Sequence, residues 1–261
     1  MHNLSPANTA YLVTLFTVLG LVMGSFLNAW AWRLCHGESV AKGRSHCAHC
    51  GHTLAARDLV PLVSFLVLRG RCRYCGGKIS RRYPAVEAVC AALFVSLLLR
   101  FDLVQPLLTI RWLGLGCILL VLSLVDWDTQ QLPDGLLLAA GLLALFRIPL
   151  EGVAGVKSAA LGAVCISMPL LLLVLAADKV LGKETMGGGD IKLFFVLGLH
   201  FGPGQTLLIL ILACFFGILL AVITGRLHGK SIAFGPAIAA ASWVTAIFGS
   251  PMIQWYLSLF K

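Results

Sequence analysis

Long apolar runs alternate with short polar segments along most of the chain, and this pattern predicts helices that cross a membrane. Residues 9–32 are 24 mostly apolar positions without a charge, and about 20 such positions are enough to span a bilayer core. A basic start and a small-residue cleavage site are missing, so we expect a retained span and not a signal peptide. Further mostly apolar runs lie at residues 83–99, 103–125, 135–150 and 158–177.

The last third of the chain predicts three more segments. Residues 193–225 carry no acidic or basic side chain, and the sequence Phe-Gly-Pro-Gly at 201–204 divides this run. A short segment at about 190–201 and a full span to residue 225 result, and residues 231–260 supply the last. We therefore expect an all-α, polytopic membrane helix bundle with about eight transmembrane segments, with a re-entrant element as the alternative for the short one.

The composition agrees with this interpretation. The chain has 261 residues, of which 59% are apolar and only 12% are charged, whereas about a quarter of the residues in a soluble domain are charged. So few charges cannot cover the surface of a soluble globule of this length. The high apolar fraction argues against a disordered chain, and nine cysteines in 261 residues are too few for a disulfide-dense scaffold.

The charges predict the orientation. Residues 33–82 hold ten basic residues but only two acidic ones, Glu38 and Asp58, and basic loops stay in the cytoplasm. With eight spans both termini are outside, and five more basic residues fall on the cytoplasmic side: Lys179, Lys183, Lys192, Arg226 and Lys230. We take the net charge of +9 to reflect topology and contact with anionic lipid head groups, and not nucleic-acid binding.

Two C-x-x-C pairs, Cys47/Cys50 and Cys72/Cys75, lie in this basic loop with 21 residues between them. This is nearly the spacing of a zinc ribbon, in which four thiolates bind one tetrahedral zinc. A closed four-thiolate site has no open position, so we expect a structural zinc that orders the loop. The glycines that follow each pair, Gly51 and Gly76-Gly77, suit turns that need φ > 0.

Disulfides and a redox pair are the alternatives for these cysteines. Thiols stay reduced in the cytoplasm, which disfavours disulfides, and a redox C-x-x-C needs no duplicate. His46, His49 and His52 lie nearby, and we expect them to be polar loop residues because four thiolates already complete the site.

The chain has only 11 acidic residues. Asp102 and Glu151 are expected to be solvated charges in outer loops. Asp126, Asp128 and Asp134 follow an apolar helix, and Asp190 follows Gly187-Gly188-Gly189. Charges at membrane depth are costly and indicate function.

A flexible glycine loop could hold Asp190 opposite another carboxylate. Two such groups share one proton and activate a water for peptide hydrolysis. The structural alternative is that these aspartates are ordinary helix-end and capping residues.

Taken together, the motifs resemble those of the type IV prepilin peptidases, which are membrane aspartic proteases. The resemblance covers nearly the whole chain, in order: Gly-Ser-Phe-Leu-Asn at 24–28, the two C-x-x-C pairs, Arg-Tyr-Pro-Ala-Val-Glu at 82–87, Asp126-x-Asp128 with Gln-Leu-Pro-Asp at 131–134, Met-Gly-Gly-Gly-Asp-Ile-Lys at 186–192 and Phe-Gly-Pro at 234–236. Thr185 and Ala48 depart from common family residues (Gly and Pro, respectively) without touching the core motifs.

The resemblance implies that Asp126 and Asp190 are the catalytic dyad and that Asp128 and Asp134 support it. It implies cleavage of prepilin and pseudopilin leaders after a Gly, followed by N-methylation with S-adenosylmethionine. Glu87 is a candidate near the methyl-transfer site, or simply a charge at a helix start.

The expected organisation is a first helix at 9–34, a cytoplasmic four-cysteine loop at 35–82 and a peptidase domain at 83–258. The expected location is the bacterial inner membrane, with the active site on the cytoplasmic side.

Two other functions compete with this one. A transporter or assembly scaffold with a structural zinc loop would place its charges along a path across the bilayer. A presenilin-like protease shares the G-x-G-D motif but lacks the cysteine loop.

Overall fold

The computed structural model describes residues 6–39, 43–101, 105–182, 185–225 and 233–260. The chain divides into two compact units, Met1–Val104 and Gln105–Lys261, called here the N-terminal and C-terminal units. The expectations for Asp102, Lys183, Arg226 and Lys230 lie outside the described residues.

The N-terminal unit consists of two long helices and the loop between them. Helix α1 spans Pro6–Cys35, a short helix α2 spans Val63–Val67 within the loop, and α3 spans Arg82–Arg100. Two isolated antiparallel bridges, His46↔Thr53 and Arg71↔Lys78, each enclose one of the C-x-x-C pairs.

A small-residue stripe lets α1 and α3 approach closely. Gly20 and Gly24 form a G-x-x-x-G pattern, which is typical of closely packed membrane helices. A Cβ on Gly20 would lie 2.5 Å from the Cα of Ala91, and one on Gly24 would lie 2.7 Å from the Cα of Glu87. The Gly-Ser-Phe-Leu-Asn motif therefore begins at the residue that brings α1 against Glu87.

The C-terminal unit contains six helices: α4 Pro106–Thr129, α5 Asp134–Leu143, α6 Arg147–Leu181, α7 Gly188–Phe201, α8 Pro203–Thr224 and α9 Gly235–Ser258. Its buried side chains include Leu122 of α4, Phe194 of α7 and Ile238 of α9. The described residues of both units contain no β-strand beyond the isolated bridges, so the predicted all-α class is confirmed.

Within the described residues, six helical stretches are long and apolar enough to cross a membrane. Helix α7 is not among them, because its 14 residues rise only about 21 Å. The predicted division of residues 135–177 agrees with a kink in α6: Gly152 is non-helical (φ 60°, ψ −153°) and separates two helical parts of Arg147–Leu181. The count of eight segments stays a prediction.

A buried ionic cluster fixes the C-terminal end of α7. Arg111 of α4 is only 1% exposed, and its Nε donates to Nδ1 of His200 at 3.2 Å. His200 is therefore the neutral tautomer whose Nε2–H donates to the carbonyl of Ala140 at 2.9 Å. Glu151 pairs with both Arg111 and Arg147. Glu151 was expected to be a solvated loop charge; its side chain is 38% exposed beside the kink in α6, but it is bound to two buried arginines, so that expectation is corrected.

Candidate active site and metal centre

The four loop cysteines converge on one point of the N-terminal unit. The sulfur atoms of Cys47, Cys50, Cys72 and Cys75 all lie within 4.8 Å of one another, and those of Cys47 and Cys75 are 3.9 Å apart. Four thiolates around a zinc at 2.3 Å have sulfur–sulfur distances of roughly 3.8 Å. The cluster therefore has the size of a tetrahedral metal site and could hold a metal ion.

Both pairs sit in the same kind of turn. The N–H of Gly51 donates to the carbonyl of Cys47 at 2.9 Å, and that of Gly76 donates to Cys72 at 3.0 Å. Gly51 and Gly76 have φ of 67° and 69°, as their positions after the second cysteine predicted. Gly77 differs: its φ is not positive, and a Cβ there would lie 2.9 Å from the ring of His49.

His46, His49 and His52 are not part of the metal-ligand cluster found among the described residues, which consists of the four cysteines. Nε2 of His49 lies 3.2 Å from the carbonyl oxygen of Lys78, which links the two turns. The ring of His52 lies over Tyr74 at 3.7 Å between centroids, and His46 contacts Trp32 edge-on. These contacts fit polar residues that brace the loop.

Asp58 joins the linker between the turns to the second turn. Nε of Arg73 and the hydroxyl of Tyr74 donate to its carboxylate at 2.7 and 2.9 Å. The bond from Arg73 is the main cause that lowers the pKa of Asp58. At the first turn, hydrogen bonds from the backbone amides of Cys50 and His49 lower the pKa of Cys47 to about 6.

Glu87 is buried in α3, with 6% exposure, and it accepts a hydrogen bond at 2.8 Å from the backbone N–H of Leu62. Leu62 has φ 58° and ψ −47°, and the N–H of Val63 bonds to the carbonyl of Pro61 at 2.6 Å. This is a γ-turn in its rare, strained form. Such strain in a non-glycine residue persists where the surroundings enforce it, often at binding sites.

In the C-terminal unit, Asp126 ends the buried face of α4. It is 5% exposed, and the backbone N–H of Gly235 donates to its Oδ2 at 2.7 Å. Gly235 is the first residue of α9, so the positive end of that helix dipole also faces the carboxylate. A Cβ on Gly235 would lie 2.8 Å from Oδ2, which gives the Phe-Gly-Pro motif a physical reason for its glycine.

Asp190 lies in the first turn of α7, where its N–H bonds to the carbonyl of Gly187 at 3.1 Å. Its carboxylate is half-buried and interacts electrostatically with that of Asp126. The glycine run packs against the first aspartate motif, because a Cβ on Gly189 would lie 3.1 Å from the side chain of Leu132. The structure thus brings the two predicted aspartates into one site.

The other two aspartates of the first motif are exposed. Nζ of Lys192 contacts Oδ1 of Asp134 at 2.7 Å, a surface ion pair that joins the two aspartate motifs. Asp128 differs from Asp126 in burial: the side chain of Asp128 is exposed, whereas Asp126 is 5% exposed.

Two backbone groups of these sites had no signal in the sequence. The amide of Gly235 and the amide of Leu62 each bind a buried carboxylate, and such a contact depends on helix packing and turn geometry. For Gly235, only the presence of Phe-Gly-Pro as a motif could have drawn attention to its amide.

Comparison with known proteins gives matches to two family models. Residues 18–101 match the Bacterial Peptidase A24 N-terminal domain, and residues 113–222 match the Type IV leader peptidase family. No solved structure shows a significant match.

Full-length relatives are similar to the chain over most of its length. A protein of Aeromonas hydrophila named prepilin leader peptidase/N-methyltransferase is 38% identical over 83% of this chain and 76% of its own. Proteins of the same name from Pseudomonas putida (36%, covering 92% of each chain) and Neisseria gonorrhoeae (31%, covering 95% and 96%) extend the match. With its apolar helices, the chain is thus a multi-pass membrane protein, and it is an enzyme of the type IV leader peptidase family, as its motifs indicated.

Proposed function

We propose that this protein removes the leader peptides of type IV prepilins and type II secretion pseudopilins and then N-methylates the new N-terminal residue. The proposal rests on the electrostatic interaction between the carboxyl groups of Asp126 and Asp190, which come from two helices of one unit. The names of the relatives support both activities. The alternative of a transporter or scaffold without peptidase activity is not favoured, because both family matches are to peptidase families.

Asp126 and Asp190 form the catalytic dyad in this proposal. Two adjacent carboxylates in a poorly solvated site share one proton. The amide of Gly235 and the N-terminus of α9 stabilise a negative charge on Asp126, so Asp126 is assigned as the general base. Asp190 is then the protonated partner that donates a hydrogen bond to the scissile carbonyl oxygen.

Hydrolysis in this site adds one water across the peptide bond after a glycine of the substrate. Asp126 takes a proton from water, whose oxygen bonds to the carbonyl carbon. The C–N bond then breaks, and the nitrogen of the new N-terminal residue takes up a proton from the dyad. The products are a leader with a free carboxylate and a mature chain with a free amine. Asp128 and Asp134 support the site without touching the reacting atoms.

The N-terminal unit supplies the second activity. Cys47, Cys50, Cys72 and Cys75 hold a structural zinc, since their sulfur atoms fit a tetrahedral ion. This zinc orders the loop at 35–82, and residues 83–258 include the peptidase site. S-adenosylmethionine, when bound, supplies an electrophilic methyl group to the amine of the new N-terminal residue, which loses one proton.

The proposed location is the bacterial inner membrane, with both sites on the cytoplasmic side. Ten basic residues between positions 33 and 82 support this orientation. The apolar helix of a prepilin would lie in the same membrane, with its leader at the surface.

The proposal is tested with the purified protein in detergent and a synthetic prepilin. Mass spectrometry measures the removal of the leader over time. Asp126→Asn and Asp190→Asn should each lower the cleavage rate about 100- to 10,000-fold, the range for loss of a general acid or base. Asp128→Asn is the matched control and should keep most of the rate.

Methylation of a peptide that already carries the mature N-terminus shows whether each variant is folded. Both dyad variants should retain it. Normal cleavage by Asp126→Asn, or loss of cleavage in Asp128→Asn alone, would contradict the assignment.

A further inference from the structure

The N-terminal unit contains a cavity of about 440 Å³ beside the four-cysteine cluster. Pockets for cofactor-sized ligands have volumes of roughly 300–1,000 Å³. Cys47 and Cys72 line the cavity on the loop side, and Asn28 of α1 and Glu87 of α3 line it on the helix side. All its lining residues belong to the N-terminal unit, so it is separate from the aspartate site.

From this cavity we infer where S-adenosylmethionine binds: in the space between the four-cysteine loop and the ends of α1 and α3, with Glu87 accepting hydrogen bonds from the ligand. The inference rests on the proposed methyl transfer and names its binding site.

The first support is the state of Glu87. Its side chain is buried, and among the described residues its hydrogen-bond partner is the N–H of Leu62, with no ion pair formed. A carboxylate has about four acceptor positions, so one amide leaves most of them for a ligand. S-adenosylmethionine carries ribose hydroxyls, an amine and an adenine amino group as donors.

The second support is that several parts of the chain are specialised to hold Glu87 at this wall. The strained γ-turn at Leu62 aims its N–H at the carboxylate. Gly24 leaves room for α1 against the backbone of Glu87. A charge that merely snorkelled at a helix start would require neither device.

The third support is the rest of the lining. Phe65 offers an aromatic face on which an adenine ring can stack, an interaction that tolerates any base. Asn28 is 3% exposed and adds amide donors and an acceptor. Arg33 and Arg82 also line the cavity and give it positive charge that suits the carboxylate of the methionine moiety.

The experiment measures binding of S-adenosylmethionine to the full-length protein in detergent by isothermal titration calorimetry. Loss of a hydrogen bond to a charged group corresponds to about 10- to 100-fold in affinity, so Glu87→Gln should raise the Kd by that factor. Glu38→Gln, at an exposed position outside the cavity, is the matched control. Cleavage of a prepilin should stay normal in both variants, which shows that they are folded.

A second pair of variants tests the cavity without touching Glu87. Ala29 lines the cavity, so Ala29→Trp fills it and should abolish measurable binding. Val22 lies on the exposed side of the same helix and outside the cavity, so Val22→Trp should bind normally. Ultraviolet crosslinking of labelled S-adenosylmethionine to the wild-type protein should label peptides from the lining.

The outcomes separate the inference from the proposed function. If the wild-type protein binds S-adenosylmethionine and both Glu87→Gln and Ala29→Trp bind it equally well, the cavity is not its site, although methyl transfer stands. If Ala29→Trp changes only the KM for the acceptor peptide, the cavity holds the acceptor, and the inference is overturned. If the wild-type protein neither binds the compound nor methylates a peptide, the proposed second activity itself fails.

Discussion

The cysteine cluster of the N-terminal unit and the aspartate site of the C-terminal unit are assembled in different ways. Cys47 and Cys75 are 28 positions apart, and two short turns with backbone hydrogen bonds place all four sulfur atoms. Asp126 and Asp190 are 64 positions apart and lie on α4 and α7, with a third helix, α9, supplying the amide that binds Asp126.

Because one site is built from short turns and the other from packed helices, different interactions stabilise the two sites. A loop of this size with many exposed residues buries little apolar surface, and in our proposal the zinc held by the four cysteines supplies its folding free energy. The aspartate site depends on the packing of α4, α7 and α9, and the ionic cluster around Arg111 joins α4 and α7 at their other ends. Removal of the metal and disruption of the helices should therefore have separate effects, and four predictions test this separation.

The largest effect is expected from Cys72→Ser, which removes one of four ligands. Zinc measured by mass spectrometry of the purified protein should fall from one per chain to none, because a serine hydroxyl does not replace the thiolate. Methyl transfer should be lost with the order of the loop. Cleavage should stay within about threefold of wild type, since the two sites share no residues and sites without shared partners act independently.

Cys165→Ser is the control for this variant, because Cys165 is exposed and lies in α6 of the other unit. It should keep both zinc and methyl transfer. If the cleavage rate of Cys72→Ser falls together with its zinc content, the two sites are coupled and do not act independently.

The sequence predicted more of the cysteine cluster than of the aspartate site, because the cluster is built from local turns and the aspartate site from long-range helix packing. The cysteine ligands follow from local spacing, and the positive φ of Gly51 and Gly76 follows from it too. The aspartates were indicated by the scarcity of acidic residues and by motifs, but their partners were not. The amide of Gly235 lies 109 positions from Asp126, and no local pattern encodes that contact.

The error at Glu151 has a similar origin. Its charge in a weakly apolar stretch suggested an outer loop, whereas two arginines from separate helices pair with it. Arg147 lies four positions before Glu151 in α6, a spacing that local sequence encodes. Arg111 lies on α4, and only helix packing brings it to Glu151.

The second prediction concerns Arg111→Leu, which removes a buried cation from its partners. The loss should cost about 1–3 kcal/mol, because the buried Nδ1 and carbonyl of His200 lose their donor, whereas Glu151 is 38% exposed and keeps its pair with Arg147. The free energy of unfolding of the C-terminal unit, followed by denaturant titration in detergent, should fall by this amount.

Lys157→Leu, at an exposed position of α6, is the control and should change the stability little. The zinc content of Arg111→Leu should remain one per chain. Release of zinc at the same denaturant concentration as unfolding of the helices would argue that the two units unfold together.

The third prediction concerns Gly235→Ala. Its Cβ would lie 2.8 Å from Oδ2 of Asp126, so either the carboxylate or α9 must shift. Misplacement of a catalytic group by about 1 Å can cost up to about 100-fold in rate, and we expect kcat for cleavage to fall by about 10- to 100-fold with methyl transfer unchanged. Gly141→Ala, where a Cβ meets nothing within 4 Å, should have no effect, and an equal loss in both variants would argue against a specific role for the amide of Gly235.

The smallest effect is expected at the ion pair between Lys192 and Asp134. Both side chains are largely exposed (58% and 75%), and exposed pairs contribute about 0.2–1 kcal/mol. Lys192→Met and Asp134→Asn should each lower kcat for cleavage by no more than about fivefold, the rate equivalent of about 1 kcal/mol. The double variant should be no worse than either single one, because both remove the same contact between the two aspartate motifs.

High salt should reduce the wild-type rate towards that of the variants, since an exposed pair is screened. Additive losses at all salt concentrations would mean that the two residues act separately, and the aspartate site would then be held by helix packing alone.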